Sequence, residues 1–387
     1  MKAPGDLQLA RSRLAVSVVF LLNGAGIGLW IPHIPLLRAR LGLDDRALGM
    51  ALLAAGLGAV VAMPAATRMM LRVGSRTLTS VGAIAFCLVV SLPGRVAPDA
   101  GAGGLGLRLF FFGVASGTLD VSMNVHASRI ETAYGRPIMS SVHGLFSLGT
   151  LLGGALASIL LARQIEPAVG LTIGSIILLP FAIGASIFLL PGPDPHAAKS
   201  GLTVPPRAIL FLGLIGAAGM MSEGAVADWT GVYLTTVVGM PIVAAGIAFT
   251  ALAFASTLGR LLVGDRAVER FGQRRVLVAS AILAAAGIVV AVLVPHRLVA
   301  PAGLAVAWLG LTSFVPIVFS AAGKQPGVVP GVGLASVATV GYVGFLAAPP
   351  VVGAVSSMLG LRIAFLMLAF VCVGIALGAR GKAVHLD

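Results

Sequence analysis

The sequence predicts an all-α membrane protein, with twelve transmembrane helices arranged as two pseudo-symmetric bundles of six. Three observations indicate this fold class. Hydrophobic residues make up 58% of the chain and charged residues 10%, against about 45–50% and about 25% in soluble domains. The apolar residues recur in blocks of roughly 20, the length that crosses a hydrocarbon layer of ~30 Å. The two halves of the chain also resemble each other.

The apolar blocks and their short loops occupy nearly the whole chain, which leaves no room for a sizeable soluble domain. The 51 glycines are in keeping with close helix packing in a membrane. We predict membrane spans at residues 13–37, 47–66, 77–93, 104–128, 138–161, 168–190, 207–235, 243–263, 276–294, 298–320, 333–354 and 360–380.

One connection differs from the others in length and composition. Residues 191–206, PGPDPHAAKSGLTVPP, form the longest polar stretch, and they lie at the middle of the chain. Their proline and glycine content is typical of a linker. We therefore predict an N-terminal six-helix bundle at 1–190, a cytoplasmic linker at 191–206 and a C-terminal six-helix bundle at 207–387.

The halves repeat each other at nearly constant offsets. A shift of 199 residues places Trp30 on Trp229, and a shift of 195 places Gly149 on Gly344. A shift of 198 superimposes two loops, so that Arg68, Arg72, Gly74 and Arg76 fall on Arg266, Arg270, Gly272 and Arg274. Similar offsets at three places indicate a duplicated six-helix unit, which is a transporter architecture.

The basic residues predict the orientation of the chain. Most of the 26 lysines and arginines fall in loops on the side of the N-terminus, so both termini are expected in the cytoplasm and the chain in the cell (inner or plasma) membrane. This placement accounts for the net charge of +13 and argues against nucleic acid as a partner. Membrane lipids are the expected partners. Cys87 and Cys372 lie in apolar runs, so neither a metal site nor a cofactor is expected.

The fourth predicted span carries an acid. An ionisable side chain at the centre of a membrane helix costs about 2.5–3.5 kcal/mol, so it needs water, a partner or a proton. Asp120 and Asn124 are four residues apart and share a helix face, which Gly113 and Gly117 precede at the same spacing. Asp120 is either a cavity acid that binds a proton or a group that pins helix ends through hydrogen bonds.

The seventh predicted span carries two acids, Glu223 and Asp228, followed by Trp229 and Tyr233. Its glycines indicate a soft or broken helix, which transporters use at binding sites. Glu223 is the stronger candidate for a functional acid, and Asp228 is equally well explained as a structural group.

The first predicted span, which the repeat pairs with the seventh, carries Asn23, Trp30 and His33 among glycines and prolines. In the fifth span, His143 stands in a stretch rich in serine and glycine. It either relays protons with Asp120 or packs between helices. All four side chains are candidates for a substrate or proton cavity.

Three segments resemble a known family, the major facilitator superfamily. GRLLVGDRAVERFGQRR, residues 259–275, resembles its cytoplasmic signature between two helices. Residues 113–156 and the segment EGAVADWTGVYL resemble a poorly characterised bacterial branch, distantly similar to fucose permease. The resemblance implies that spans 1, 4, 7 and 10 line a central cavity. It also implies a gating loop made of Asp265, Arg266, Arg270, Gly272 and Arg274, which could equally be a plain topology signal.

The resemblance implies a secondary active transporter that moves a small polar or amphipathic molecule by alternating access. The acids within the spans favour proton coupling, and the scarcity of deep arginines disfavours dianionic cargo. The aromatic residues that could stack on cargo are Trp30, Trp229, Tyr233 and Tyr342. No enzyme motif is present, and a monomer is expected. The alternative is a non-transporting sensor or assembly protein on the same fold.

Overall fold

The structure is a computed structural model that describes residues 6–135, 138–192, 207–259, 265–323, 325 and 330–381. Every regular element within these ranges is helical. Short 3-10 turns occur at Ile31–His33, Pro93–Arg95 and Pro98–Ala100. The α-helices are α1 (Asp6–Trp30), α2 (Ile34–Arg40), α3 (Asp45–Val89), α4 (Gly101–Tyr134), α5 (Met139–Ala162), α6 (Pro167–Phe188), α7 (Arg207–Thr236), α8 (Ile242–Gly259), α9 (Asp265–Phe271), α10 (Gln273–Leu293), α11 (Val299–Leu311), α12 (Phe314–Gly323), α13 (Pro330–Leu359) and α14 (Leu361–Arg380).

The number of membrane-spanning segments agrees with the prediction. Within the described residues, 10 helical segments are long and apolar enough to cross a membrane. One of them, Asp45–Arg95, has 51 residues and contains two of the predicted spans. The shorter apolar helix Ile242–Leu258 is the predicted eighth span. The predicted fold class, a twelve-helix all-α membrane protein, is confirmed.

Glycine turns separate the second span from the third and the eighth from the ninth. Gly74 has φ 82° and ψ 157° inside α3, where it divides two helical stretches. Gly272 has φ 81° and ψ 156° and precedes α10. Residues with a side chain avoid this positive φ, whereas glycine adopts it readily. The repeat offset of 198 therefore joins two residues with the same backbone conformation.

The described chain divides into two compact units. Residues within 1–43 and 50–197 form the first unit, and residues within 44–49 and 198–387 form the second. The predicted linker, 191–206, lies outside the described residues except at Pro191 and Gly192. Its boundaries, and those of the two predicted bundles, remain predictions.

Small residues bring helix backbones into contact in the first unit. A Cβ atom at Gly24 or Gly28 of α1 would stand 1.9 Å or 2.1 Å from a carbonyl oxygen of α5. A Cβ atom at Gly113 of α4 would stand 1.8 Å from the carbonyl oxygen of Ala55 in α3. The predicted close-packing face of Gly113 and Gly117 is therefore present, since only residues without a Cβ allow this approach.

Two of the predicted spans are interrupted. The first is broken between α1 and α2 by the 3-10 turn Ile31–His33, which contains Pro32 and is followed by Pro35 in α2. The tenth predicted span, 298–320, is divided into α11 and α12 at Thr312 and Ser313. The span itself is present as Val299–Ala322. Its division is favoured by Pro316, which has no amide hydrogen to donate to the carbonyl oxygen of Thr312.

Candidate functional site

In the first unit, Asp120 and Asn124 form a hydrogen-bonded pair on α4. The side-chain nitrogen of Asn124 donates to the backbone oxygen of Asp120 at 2.8 Å and to its carboxylate Oδ1 at 3.2 Å. Both side chains are half-buried. The amide therefore stabilises a carboxylate that remains partly accessible within a long apolar helix.

Asn23 and His143 lie on the neighbouring helices α1 and α5. Asn23 is 2% exposed, and its Nδ2 donates to the sulfur of Met123 at 3.7 Å. Its Oδ1 has no hydrogen-bond partner among the described residues. His143 is exposed, and the centre of its ring lies 5.0 Å from that of Phe20 in an edge-on contact. The predicted proton relay between His143 and Asp120 remains a prediction.

Trp30 and His33 lie inside the first unit rather than at its surface. The Trp30 ring packs 6.5 Å from the ring of Phe112. His33 is fully buried, and its Nδ1 lies 2.8 Å from the carbonyl oxygen of Leu29. Because a carbonyl only accepts, the proton of His33 must be on Nδ1. Contact of either side chain with cargo would require this core to rearrange.

In the second unit, both acids of α7 are half-buried, but they lie on different helix faces. Glu223 and Asp228 are five residues apart, about 140° around the helix axis at 3.6 residues per turn. Gly219 of α7 packs on the ring of Phe314, the first residue of α12. Glu223 lies one turn beyond Gly219 on the same face. It therefore lies about 6 Å along α7 from the contact with Phe314, the residue that follows the break between α11 and α12.

Trp229 and Tyr233 are both fully buried in the second unit. The hydroxyl group of Tyr233 donates to the carbonyl oxygen of Ala291 in α10 at 3.0 Å, and its ring lies 4.6 Å from that of Phe365. The indole Nε1 of Trp229 has no hydrogen-bond partner in the described part of the chain. These two aromatics pack in the helical core, whereas Tyr342 on α13 is half-buried and remains the more accessible aromatic.

The predicted gating loop falls at α9 and the start of α10. Asp265 begins α9, but its side chain lies outside the described residues, so its pairing with Arg266 is a prediction. The guanidinium group of Arg270 lies 5.4 Å from the ring centre of Phe271. Gly272 forms the turn, as predicted.

Arg274 has a role that the sequence did not indicate. It donates hydrogen bonds to the carbonyl oxygens of three residues at the end of α14, Ala379, Arg380 and Gly381, at 3.1–3.3 Å. Arg76, its equivalent in the repeat, donates to the carbonyl oxygen of Ile187 near the end of α6 at 3.2 Å. Each arginine therefore caps the last span of its own unit.

Sequence reasoning also missed the break at Thr312 and a buried histidine, His126, which bonds to Ser75 and to the backbone of Leu190. Pro316 was an available signal for the first. No feature of the local sequence indicated the role of His126.

Within the described residues, no group of three His, Cys, Asp or Glu side chains could hold a metal ion.

A repeated pair of apolar six-helix units, each with an acid inside a span, defines a polytopic membrane transporter. Residues 16–324 match the Major Facilitator Superfamily, and the chain belongs to that family. It is similar to an uncharacterised MFS-type transporter of Yersinia pestis, at 35% identity over 97% of this chain and 96% of the relative. The chain is thus a multi-pass membrane transporter and not an enzyme.

Two solved structures share the fold at low sequence identity. The D-xylose–proton symporter has a TM-score of 0.77 and 13% identity, with 97% of this chain and 98% of that chain covered. The nucleoside transporter NupG has a TM-score of 0.71 and 15% identity, with 95% of this chain and 98% of that chain covered.

A further relative by sequence is the membrane protein MosC of Rhizobium meliloti, which is 28% identical over 94% of this chain and 88% of its own length.

Proposed function

We propose that the protein moves a small polar or amphipathic molecule by alternating access, coupled to protons. The observation that carries this proposal is the pair of half-buried acids, Asp120 in the first unit and Glu223 in the second, each within an apolar membrane helix. A carboxylate in that position needs a compensating interaction, and binding a proton removes its charge. Protonation can therefore be linked to a change in which side of the membrane the site faces.

The surroundings of the acids bear on the cargo. The deep part of α4 carries an acid and an amide and that of α7 carries two acids, whereas the arginines of α4, Arg108 and Arg129, stand nearer its ends. An anionic cargo would find no cationic partner at this depth on α4 or α7. We infer a neutral or cationic cargo, with Tyr342 as the aromatic surface best placed to contact it. A nucleoside transporter and a D-xylose symporter on the same fold are in keeping with a small polar cargo.

The location and orientation of the protein are inferred from its composition and its basic loops. We infer that it resides in the cell membrane as a monomer. Both termini are placed in the cytoplasm, because most basic loops share the side of the N-terminus. The lipids around it are its permanent partners. Protease accessibility of terminal tags in right-side-out and inside-out vesicles would check this orientation.

The test of proton coupling uses purified protein in liposomes that contain a pH-sensitive dye. A panel of neutral and cationic solutes is added outside, and acidification or alkalinisation is recorded beside uptake of the labelled solute. Glu223→Gln and Asp120→Asn are expected to abolish solute-driven proton movement, with loss of accumulation against a gradient. Asp99→Asn is the matched control, since Asp99 is exposed in a 3-10 turn outside the long helices.

Full proton-coupled uptake in both Glu223→Gln and Asp120→Asn would contradict the assignment of the coupling acids. Uptake that needs ATP and no ion gradient would reject secondary transport. If no solute of the panel moves and wild-type protein still binds one of them, the non-transporting sensor becomes the better explanation.

A further inference from the structure

The last span of the first unit ends without a cap of its own. α6 stops at Phe188, and Leu189 already has extended backbone angles of φ −59° and ψ 143°. The last carbonyl groups of a helix have no intrahelical partner. Here they and the next residues are bound from outside, by a group of four side chains on three other helices that we name the α6 clamp: Ser12 on α1, Arg76 on α3, and His126 and Arg129 on α4.

Each member of the α6 clamp binds a different backbone group. Ser12 Oγ donates to the carbonyl oxygen of Phe188 at 2.9 Å, and Arg76 donates to that of Ile187 at 3.2 Å. Arg129 donates to the carbonyl oxygen of Pro191. His126 does the opposite, because its Nε2 lies 3.1 Å from the backbone nitrogen of Leu190. It is therefore the member that accepts.

The geometry fixes the proton on the His126 ring. A backbone N–H only donates, so Nε2 must present a lone pair to Leu190. The imidazole is then neutral and carries its one proton on Nδ1. The distance from Nδ1 to Ser75 Oγ is 2.9 Å. The ring is 0% exposed, which leaves little freedom to turn away. A second proton on Nε2 would place two donors face to face and remove the bond to Leu190.

The charges around this end of the bundle would further weaken the α6 clamp if His126 were protonated. The adjoining turns carry mainly cations, and α6 itself has no ionisable side chain. The charged groups on these turns are Arg11 and Arg13 on α1, Arg72 and Arg76 on α3, and Arg129 and Glu131 on α4. The Glu131 carboxylate accepts hydrogen bonds from the backbone nitrogens of Ile138 and Met139. A charged His126 would thus stand close to the Arg76 and Arg129 contacts.

We propose that the protonation state of His126 controls whether the end of α6 is held in place by the hydrogen bond to Leu190. The neutral ring holds Leu190, at the point where the chain continues toward the residues that join the two halves. The protonated ring releases it, and the clamp loosens at acidic pH. This device is separate from the acids at Asp120 and Glu223, so it does not depend on which ion or cargo the transporter moves.

The test is hydrogen–deuterium exchange of the full-length protein in lipid nanodiscs, at about pH 7.5 and about pH 5.5, because a histidine ring released to water changes charge between these values. The peptide covering residues 187–192 is compared with the end of α14 at each pH, which cancels the intrinsic pH dependence of exchange. We expect acidification of wild-type protein to lower the relative protection of the Leu190 amide by about tenfold, the value of one buried hydrogen bond.

Two variants separate the roles of the His126 ring. His126→Gln keeps an acceptor at the place of Nε2 but does not titrate, so protection should stay high at both pH values. His126→Leu has no acceptor, so protection should be low at both. His296→Gln is the control, because His296 is an exposed histidine outside the first unit, and it should keep the wild-type response.

A wild-type protein with equal relative protection at both pH values would overturn the proposal, and so would a pH response that persists in His126→Gln. If His126→Leu does not fold, the His126→Gln comparison alone decides. Nitrogen NMR of labelled histidine adds an independent check, since a neutral His126 with its proton on Nε2 would contradict the geometry.

Discussion

Gly149 of α5 lies against the backbone of Leu21 in α1, so closely that a Cβ atom at Gly149 would stand 2.0 Å from the carbonyl oxygen of Leu21. The second unit repeats this relationship. A Cβ atom at Gly344 of α13 would stand 2.0 Å from the carbonyl oxygen of Ala217 in α7. The glycines are 195 residues apart and their partners 196. The first and fifth spans of each half therefore cross at an equivalent point.

Gly149→Ala should destabilise the protein, because the new methyl group meets a backbone atom that cannot turn away. Overpacking of this kind costs about 1–3 kcal/mol, and the apparent melting temperature should fall by roughly 3–10 °C. Gly374→Ala is the control, since a Cβ atom there meets nothing within 4 Å. A thermal-shift measurement that finds the two variants equally stable would show that α1 and α5 do not cross so closely.

Asn23→Leu should raise the melting temperature, although Asn23 is a candidate for the cavity. The Oδ1 of Asn23 is buried without a partner in the described structure, and a side chain of similar size without polar atoms removes that cost. We expect a gain of about 1–3 °C. Asn124→Leu is the matched comparison and should be destabilising, because it deletes both hydrogen bonds to Asp120. A loss of stability in Asn23→Leu would indicate a partner for Oδ1.

Tyr233→Phe should affect stability and leave transport nearly unchanged. The substitution keeps the ring contact with Phe365 and removes the hydrogen bond to Ala291, worth about 0.5–1.5 kcal/mol. The KM for solute uptake should stay at the wild-type value while the melting temperature falls by about 1–4 °C. A large rise in KM at an unchanged melting temperature would instead place Tyr233 in contact with cargo.

Most of the fold could be predicted from the sequence, but only part of the candidate site. Apolar blocks and the repeated loop were sufficient for the twelve spans and for the turn at Gly272. Helical period places Trp229 and Tyr233 on a face of α7 but does not tell which neighbour that face meets, and both proved to be buried. His126 escaped notice because its partners, Ser75 and Leu190, are 51 and 64 residues away along the chain.

Arg274→Gln should loosen the end of α14 without altering the rest of the second unit. The guanidinium group of Arg274 binds carbonyl oxygens of Ala379, Arg380 and Gly381, and a shorter neutral side chain cannot reach the same set. Hydrogen exchange at the end of α14 should rise by about threefold to tenfold. The neighbouring exposed Arg275 provides the control as Arg275→Gln. An unchanged exchange rate in Arg274→Gln would leave this arginine with a role in the loop itself.

Pro316→Ala should join α11 and α12 into a more continuous helix. The alanine amide can donate to the carbonyl oxygen of Thr312, the bond that proline cannot make. Deuterium exchange at residues 312–316 should slow, and the protein should become more heat-stable. Solute uptake should fall, because Glu223 lies one helical turn from the Gly219–Phe314 contact beside this break, and a regular helix would replace the irregular backbone there. Val315→Ala is the control, because it changes a side chain in the same turn without adding a backbone amide. It should alter both exchange and uptake less than Pro316→Ala does. If Pro316→Ala slows exchange and leaves uptake intact, the break is a packing feature rather than part of the transport site.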